Sequence, residues 1–328
     1  MSRKLTGKRV LVTGGAGFIG SNLCQSLLDE GNEVICLDNF ATGKRQNVEP
    51  FLDNPDFQML EGDIRDYQTC LEASRSVEVI LHQAALGSVP RSINDPLTTN
   101  SVNIDGFLNM LNAAKENEVS RFVYAASSST YGDSKALPKV EDTIGMPLSP
   151  YAVTKYVNEL YAHVFGNLHG MNIIGLRYFN VFGRNQSPDG AYAAAIPKFV
   201  SAFIKHEAPT IHGDGGQTRD FTYIDNVIQI NHLAATTNNP SALNQVYNVA
   251  CGERTALKDV VQSIQNALAK EDQAIADVTV LHGPDRPGDV RDSLADISKA
   301  QDLLGYNPTH TLQKGILEAI DWYREFLK

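Results

Sequence analysis

The apolar positions in the first half of the chain form short continuous runs, separated by stretches of helical periodicity. Runs that are apolar on both faces are typical of strands in a parallel sheet that helices cover on each side. The predicted strands are residues 9–13, 33–38, 57–63, 77–84, 121–127 and 172–178.

Helices are predicted between these strands. Ile19, Leu23 and Leu27 recur at intervals of four residues, which is the spacing of one helix face. A second stripe lies within residues 101–117. A third covers residues 151–168, directly after a proline that favours a helix start. The alternation of strands and helices predicts an α/β fold with a doubly wound parallel sheet of the Rossmann type.

The pattern changes after residue 184, where segments become shorter and turns more frequent. We therefore predict a Rossmann domain over residues 1–184. Residues 185–328 are predicted to form a smaller mixed α/β region that binds the substrate, and the chain is allowed to cross back to the first domain.

Charge and composition narrow the classes of partner. The net charge is −10, which argues against nucleic acid and anionic membranes as partners, because both attract basic surfaces. No apolar run reaches the roughly 18 residues that span a bilayer, and no signal segment precedes the first strand. The four cysteines are scattered without metal-ligand spacing, so we expect free thiols, a cytoplasmic location and no metal site.

A glycine-rich loop follows the first predicted strand. Gly14, Gly17 and Gly20 have the spacing G-x-x-G-x-x-G and open a predicted helix. Such a loop lets the backbone approach a pyrophosphate at the positive end of the helix. Asp38 closes the second strand, where an acid binds an adenosine ribose and repels a 2′-phosphate, so NAD is favoured over NADP. Asp63 ends the third strand, and both an adenine contact and a helix N-cap remain open for it.

The candidate catalytic pair is Tyr151 and Lys155, which share one helix face. An ammonium beside a phenol favours the phenolate, so we expect a lowered pKa for Tyr151, as a general base requires. The serine-rich stretch 125–132 ends a predicted central strand, where ligands of open α/β sheets bind. Its hydroxyls could hydrogen-bond a reacting sugar hydroxyl.

In this order and spacing, the glycine loop, the serine cluster and the Tyr-x-x-x-Lys pair resemble the extended short-chain dehydrogenase/reductase family. Within that family, the chain is similar to the bacterial UDP-N-acetylglucosamine 4-epimerases. The similarity is carried by the glycine loop and by the segments HQAALGSVPR (82–91), LSPYAVTKYVNEL (148–160), RYFNVFGR (177–184) and SLADISKA (293–300).

The resemblance implies roles for individual residues. Tyr151 would be the base, Lys155 its partner and a ligand of the nicotinamide ribose, and Ser127 the catalytic hydroxyl, with Ser128 as a second contact. The cofactor site implied for NAD comprises Gly14, Gly17, Phe18, Ile19, Gly20, Asp38, Asn39, Asp63, Ile64, Gln83, Ala84, Tyr151, Lys155 and Tyr178. The implied substrate site comprises Gly87, Ser88, Ser127, Ser128, Asn180, Gln186, Ala194, Arg219, Arg286 and Ser293.

The resemblance also implies the reaction. Relatives that dehydrate or decarboxylate sugars carry acids before the Tyr-Gly pair, whereas this chain has Ser128 and Ser129 there. Plain epimerisation needs only reversible oxidation at C4. A small Ser293 leaves room for an N-acetyl group, and Gln186 and Ala194 resemble pocket residues of the acetamido-preferring group. The expected substrate is a UDP-N-acetylhexosamine.

Two other readings of the function stay open. Epimerisation of the corresponding uronic acids would need a cation near Gly87 and Ser88, and Arg91 is close in sequence. A non-catalytic NAD-sensing protein would commonly lack Tyr151 or Lys155, and both are present. The resemblance further implies a homodimer that pairs the helices predicted at 101–117 and 151–168.

Overall fold

A seven-stranded parallel sheet forms the centre of the structure, with helices on both faces. The computed structural model describes residues 4–189, 194–284 and 291–326. The strands are β1 (Arg9–Thr13), β2 (Glu33–Asp38), β3 (Phe57–Glu61), β4 (Val79–His82), β5 (Arg121–Ser127), β6 (Ile173–Tyr178), β7 (Val181–Phe182), β8 (Thr210–His212), β9 (Thr218–Arg219), β10 (Thr222–Tyr223), β11 (Gln245–Val249), β12 (Thr255–Ala256) and β13 (Leu281–Gly283).

The helices alternate with the long strands in the first half of the chain and cluster in the second half. They are α1 (Phe18–Asp29), α2 (Tyr67–Ala73), α3 (Val89–Asn94), α4 (Pro96–Asn100), α5 (Gly106–Glu116), α6 (Pro150–His169), α7 (Ala195–Ile204), α8 (Ile224–Thr236), α9 (Leu257–Leu268), α10 (Ser298–Leu304) and α11 (Leu312–Phe326).

The sheet order β11-β6-β5-β4-β1-β2-β3 confirms the predicted fold class. The strands predicted at 9–13, 33–38 and 121–127 have the predicted bounds, whereas the other three are shorter by one to four residues. The seventh strand, β11, was not predicted. Asn248, which is fully buried, interrupts its apolar run, so the sequence pattern there does not resemble a core strand.

The two faces of the sheet pack against different helices. On β1, Val10 and Val12 contribute to the core that contains α1 and α8, whereas Leu11 contributes to the core of α5 and α6. Successive side chains of a strand point to opposite faces, so a strand with both faces covered is apolar throughout. This explains the continuous apolar runs in the sequence.

Part of the chain beyond residue 184 returns to the central sheet. The strand β11 pairs in parallel with β6, and α8 packs against α1 and β5. The other strands of this region form two-stranded pairs, namely β8 with β13, β9 with β12, and β10 with β7, which precedes residue 184. The region that was predicted to bind substrate thus also supplies one strand and one helix of the sheet layer.

The helix α6 begins and ends at clear sequence signals. Ser149 is its N-cap and accepts a hydrogen bond from the N–H of Ala152 (3.1 Å), and Pro150 occupies the first turn. Gly170 ends the helix in the left-handed region, with φ +64°. The helix predicted at 101–117 starts as a π-helical turn, Ser101–Asp105, and continues as α5.

The helices and the cysteines of the structure bear on the predictions about membrane spans and free thiols. Within the described parts of the chain, no helix combines the length and the apolar character that crossing a bilayer requires. The cysteines at positions 24, 36, 70 and 251 are all free thiols.

Candidate active site

The glycine-rich loop between β1 and α1 turns sharply at the end of the sheet. Gly14 has a φ of +68°, and a Cβ at this position would lie 2.8 Å from the backbone of Ala84. A Cβ on Gly20 would lie 2.1 Å from the carbonyl oxygen of Gly14. Neither position has room for a side chain, because the loop packs closely against neighbouring backbone there. The loop leads into the start of α1, where helix N–H groups can bind an anion.

Acidic side chains lie beside this loop, at the ends of β2 and β3. Asp38 is buried, and its carboxylate accepts hydrogen bonds from the N–H groups of Ala16 (2.9 Å) and Phe40 (2.8 Å). Burial raises the pKa of Asp38, and these two hydrogen bonds oppose the rise. The Asp38 carboxylate therefore shapes the glycine loop as well as facing the cavity.

Asp63 lies farther along the same edge of the sheet. It accepts a hydrogen bond from Asn39 Nδ2 (2.8 Å) and pairs with the guanidinium of Arg65. The hydrogen bonds from Arg65, together with that from Asn39, lower the pKa of Asp63 to about 2. Asp63 does not cap α2, since Asp66 accepts the N–H bonds at the start of that helix. The N-cap role left open for Asp63 is therefore wrong.

The predicted catalytic side chains meet at the end of β5. Ser127 is the last residue of this strand, and its Oγ accepts hydrogen bonds from Ser129 N (3.2 Å) and Ser129 Oγ (2.9 Å). Ser127 also hydrogen-bonds the side chain of Tyr151 on α6. Lys155, one turn further along α6, is 3% exposed and donates from Nζ to the carbonyl oxygen of Ala125 (2.8 Å).

The pKa of Tyr151 differs from the sequence expectation. Burial raises it, and the hydrogen bond from Ser127 only partly opposes this rise. The expected lowering by Lys155 is therefore wrong for the ligand-free protein. Burial also lowers the pKa of Lys155 to about 8, with the charge of Glu159 opposing. Desolvation disfavours the charged form of each of these two side chains.

A buried ion pair lies behind Lys155. Glu159 is one turn further along α6, and its carboxylate pairs with Arg177 of β6 through two bonds of 2.9 and 2.7 Å. The two side chains are only 6% and 4% exposed. Arg177 also donates to the carbonyl oxygen of Glu141 (2.9 Å). These bonds fix α6 against the sheet and hold a negative charge near the Lys155 ammonium.

One cavity of about 540 Å³ connects the glycine loop with Tyr151 and Lys155. All predicted cofactor residues and four of the predicted substrate residues line it. The predicted residues in its lining are Gly14, Gly17, Phe18, Ile19, Gly20, Asp38, Asn39, Asp63, Ile64, Gln83, Ala84, Gly87, Ser127, Tyr151, Lys155, Tyr178, Gln186 and Ala194. The structure thus brings these residues together, while the role of each stays a prediction.

Several predicted substrate residues lie outside this lining. Ser88 is the N-cap of α3, and its Oγ accepts the N–H of Arg91 (3.2 Å). Ser128 begins the 3₁₀ turn that follows β5. Asn180 has a φ of +37°, and its Nδ2 donates to the carbonyl oxygen of Asp220 (2.9 Å).

Two further predicted substrate residues lie on neighbouring segments of the C-terminal region. Arg219 Nη1 donates to the carbonyl oxygens of Thr218 (2.8 Å) and Arg291 (3.2 Å). The N–H of Ser293 donates to the carbonyl oxygen of Thr218 (3.1 Å). Ser293 and Arg219 are thus on adjacent backbones. Arg286 lies outside the described residues.

The sequence analysis missed other residues of the lining. Most are chain neighbours of predicted residues, so a wider window around each motif would have included them. Thr98 and Val102 are different, because they come from helical segments without any recognisable motif. The additional lining residues are Leu37, Ala41, Thr42, Gly62, Arg65, Ala85, Leu86, Thr98, Val102, Ala125, Ala126 and Ser187.

Known proteins resemble this chain over nearly its whole length. It is 34% identical over 318 residues to a UDP-glucose 4-epimerase of Mycolicibacterium smegmatis, covering 96% of this chain and 98% of the relative. It is 35% identical to the solved UDP-N-acetylglucosamine 4-epimerase of Methanobrevibacter ruminantium, in complex with UDP-N-acetylmuramic acid, with a TM-score of 0.90. That match covers 98% of this chain and 100% of the other.

A third similar protein is the UDP-glucuronic acid 4-epimerase of Bacillus cereus, solved with UDP-glucuronic acid and NAD. Its identity is 33% and its TM-score 0.87, with 97% of this chain and 99% of that chain covered. The model of the NAD dependent epimerase/dehydratase family matches residues 10–250, a segment that contains the glycine loop, Ser127, Tyr151 and Lys155. Because this match covers more than half of the chain, the chain belongs to the NAD dependent epimerase/dehydratase family.

Proposed function

We propose that this chain is a UDP-sugar 4-epimerase that interconverts UDP-GlcNAc and UDP-GalNAc. The observation that carries the proposal is the meeting of Ser127, Tyr151 and Lys155 in the cavity that begins at the glycine loop. Family membership and the UDP-sugar epimerases among the similar proteins support the reaction class.

The residues of the cavity fit NAD. The glycine loop leaves no space for a Cβ at Gly14 or Gly20, as a close approach of the backbone to a pyrophosphate requires. Asp38 places a carboxylate where a ribose would be bound, and Lys155 lines the same cavity. When bound, NAD supplies reversible oxidation of the sugar at C4.

The side chains of the site would handle the proton of the 4-hydroxyl group. Tyr151 takes this proton as general base and returns it after the sugar has turned its other face, while Ser127 hydrogen-bonds the same oxygen. Because burial raises the pKa of Tyr151, the base needs positive charge beside it. Lys155 and the oxidised nicotinamide both carry such charge.

Preference for an acetamido sugar is supported by Gln186. Its Nε2 donates to the carbonyl oxygen of Val181 (3.0 Å), whereas its Oε1 is buried without a hydrogen-bond partner among the described residues. A buried acceptor without a partner is costly, and an acetamide N–H would satisfy it. Ala194 lines the same cavity as Gln186, and its small side chain fills little of that cavity.

The test compares two substrates without added NAD. We expect purified protein to convert UDP-GlcNAc to UDP-GalNAc faster than it converts UDP-Glc to UDP-Gal. The Tyr151→Phe variant should epimerise at least about 100-fold more slowly than the wild type. The control Tyr156→Phe, on the same helix, should epimerise at the wild-type rate. Equal or faster turnover of UDP-Glc would refute the acetamido preference, and full activity of Tyr151→Phe would refute the mechanism.

A uronic acid substrate is the second candidate. The similar protein from Bacillus cereus is solved with UDP-glucuronic acid, and Arg91 on α3 follows the lining residue Gly87 by four positions. A substrate carboxylate would need such a cation. Turnover of UDP-GlcNAcA faster than that of UDP-GlcNAc would select this candidate.

We also propose a homodimer formed through α6. Apolar side chains are exposed on one stripe of this helix, with Leu160 at 49% and Leu168 at 73%, and on the neighbouring helices, with Ile93 at 60% and Leu97 at 83%. Large exposed apolar surfaces commonly mark protein interfaces. Sedimentation analysis should give a dimer for the wild type and a monomer for Leu160→Lys, whereas a monomeric wild type would refute this interface.

A further inference from the structure

Three polar side chains from distant parts of the chain meet beside the cavity. Gln83 follows β4, Tyr178 ends β6 and Asn231 lies within α8. Tyr178 Oη donates to Gln83 Oε1 (3.3 Å) and accepts from Asn231 Nδ2 (2.9 Å). Gln83 Nε2 donates to Asn231 Oδ1 (3.5 Å), which completes a ring of three hydrogen bonds. We call these three side chains the amide–phenol triangle.

The triangle belongs to the reacting end of the cavity. Tyr178 and Ser127 are register partners on the adjacent strands β6 and β5. Gln83 and Tyr178 line the same cavity as Tyr151 and Lys155. Asn231 is fully buried and is not part of the lining, so it acts on the cavity only through the other two side chains.

Each member of the triangle both donates and accepts a hydrogen bond. A buried polar group that loses its partner destabilises its surroundings more than the hydrogen bond itself contributed. Replacing either amide by an apolar side chain would therefore leave the Tyr178 hydroxyl partly unpaired and free its ring to move. The triangle fixes this wall of the cavity by mutual satisfaction.

The triangle also separates the two tyrosines of the cavity. Burial raises the pKa of Tyr178 to about 12, and its hydrogen bonds with Asn231 and Gln83 oppose this rise. Tyr178 therefore stays a neutral phenol, whereas Tyr151 has Ser127 and Lys155 beside it. A neutral phenol at this side of the cavity does not favour the positively charged, oxidised nicotinamide over the uncharged, reduced one.

We propose that the amide–phenol triangle retains the reduced cofactor during the interval in which the sugar is a ketone, an inference that rests on the proposed function. The adenosine diphosphate part is identical in NAD and NADH, so contacts at Gly14–Gly20 and Asp38 hold both forms equally. Only groups beside the nicotinamide can distinguish them. An epimerase that lost NADH in this interval would be left unable to reduce the ketone.

The test measures how fast NADH dissociates from protein reconstituted with NADH, in the absence of any sugar. Excess NAD is added and the fluorescence of bound NADH is followed. We expect Gln83→Leu and Asn231→Leu to accelerate dissociation by about tenfold. Gln229→Leu is the matched control, because it lies on α8 and its Oε1 has no partner among the described residues; it should dissociate NADH at the wild-type rate.

A second measurement follows reduced nucleotide in the filtrate during turnover of UDP-GlcNAc. The two triangle variants should release about tenfold more NADH per epimerisation than the wild type does. Wild-type dissociation rates in folded Gln83→Leu, which changes a half-exposed residue, would overturn the proposal. Failure of the proposed function would appear separately, as an absence of epimerisation by the wild type, because the dissociation measurement needs no sugar.

Discussion

On the proposed cofactor side of the cavity, the candidate residues follow strands of the central sheet. Asp38 ends β2, Gln83 comes directly after β4 and Ser127 ends β5. On the substrate side, strands of two residues are connected by buried polar side chains. The carboxylate of Asp220 is fully buried and accepts N–H bonds from Cys251 (3.0 Å), Gly252 (3.1 Å) and Ala295 (3.3 Å).

This difference shows two ways of positioning a site. In the sheet, each strand makes many ladder hydrogen bonds, so the loss of one side chain leaves the strand ends in place. Around Asp220, one carboxylate connects three chain segments, one of which continues to Ser293. The substrate side should therefore depend on single residues to a degree that the cofactor side does not.

The largest effect is expected for Asp220→Ala. The change leaves three N–H groups without this acceptor, that of Ala295 buried and those of Cys251 and Gly252 in partly buried bonds, and each such loss costs about 1–3 kcal/mol. We expect the free energy of unfolding in urea to fall by at least about 3 kcal/mol. Asp214→Ala is the control, since this carboxylate is exposed and pairs with Arg291 at the surface. Similar stabilities of the two variants would contradict the inference that the substrate side depends on single residues such as Asp220.

The free energy of unfolding should also depend on pH through Asp220. Burial raises the pKa of Asp220 from 3.8 to about 7, while the hydrogen bonds from Cys251, Ala295 and Gly252 oppose the rise. Between these values the folded protein holds a proton that the unfolded chain has released. Stability therefore falls as pH rises, by up to about 1.4 kcal/mol per pH unit. This contribution is fully present below pH 3.8 and is lost through pH 7.

Asp220→Asn should remove this slope, because an amide does not titrate. Urea unfolding of the wild type and of the variant, measured at several pH values between about 5 and 8, isolates the contribution of Asp220 from that of other groups. A difference between the two proteins that is constant across this range would show that the carboxylate does not titrate there.

A moderate effect is expected at the glycine loop, where we propose that the backbone itself binds the pyrophosphate of NAD. In Gly20→Ala the new Cβ would lie 2.1 Å from the Gly14 carbonyl oxygen, so the loop must shift. Overpacking of this kind costs about 1–3 kcal/mol, which corresponds to a roughly 5- to 150-fold loss of NAD affinity. Calorimetric titration of NAD checks this, with Gln25→Ala on the exposed face of α1 as the control. Unchanged affinity in Gly20→Ala would contradict the tight-loop interpretation.

The comparison also explains how far the sequence could predict the molecule. Strand ends of a parallel sheet share one edge, so strand prediction placed Asp38 and Ser127 near one another, whereas Tyr178 was assigned to the site through the family resemblance. The glycine spacing and the pair Tyr151 and Lys155 needed only local periodicity. These residues all line the cavity, as their positions in the pattern indicated.

The remainder depends on contacts between segments far apart in the chain. Asn231 lies in a helix without a motif, and its contact with Tyr178 spans 53 residues. Asn248 interrupts the apolar run of β11, and its side-chain bonds to Tyr131 (2.6 Å) and to the carbonyl oxygens of Lys139 (2.9 Å) and Asp296 (2.9 Å) explain its burial. No periodic pattern encodes such pairings. Sequence reasoning also misjudged the pKa of Tyr151, because burial is a property of the folded chain.

The smallest effect is expected for Asp38→Asn, on the side of the molecule that the sheet positions. The carboxylate accepts N–H bonds from Ala16 and Phe40 through its two oxygens, and an amide keeps only one acceptor. NAD affinity should fall about fivefold. Affinity for NADP should fall less or rise, because the charge that repels a 2′-phosphate is gone. Titrations with both cofactors, and with Asp53→Asn as an exposed control, measure the ratio of the two affinities. An unchanged ratio would mean that Asp38 acts only through the shape of the loop, and cofactor choice would then depend on backbone geometry instead of charge.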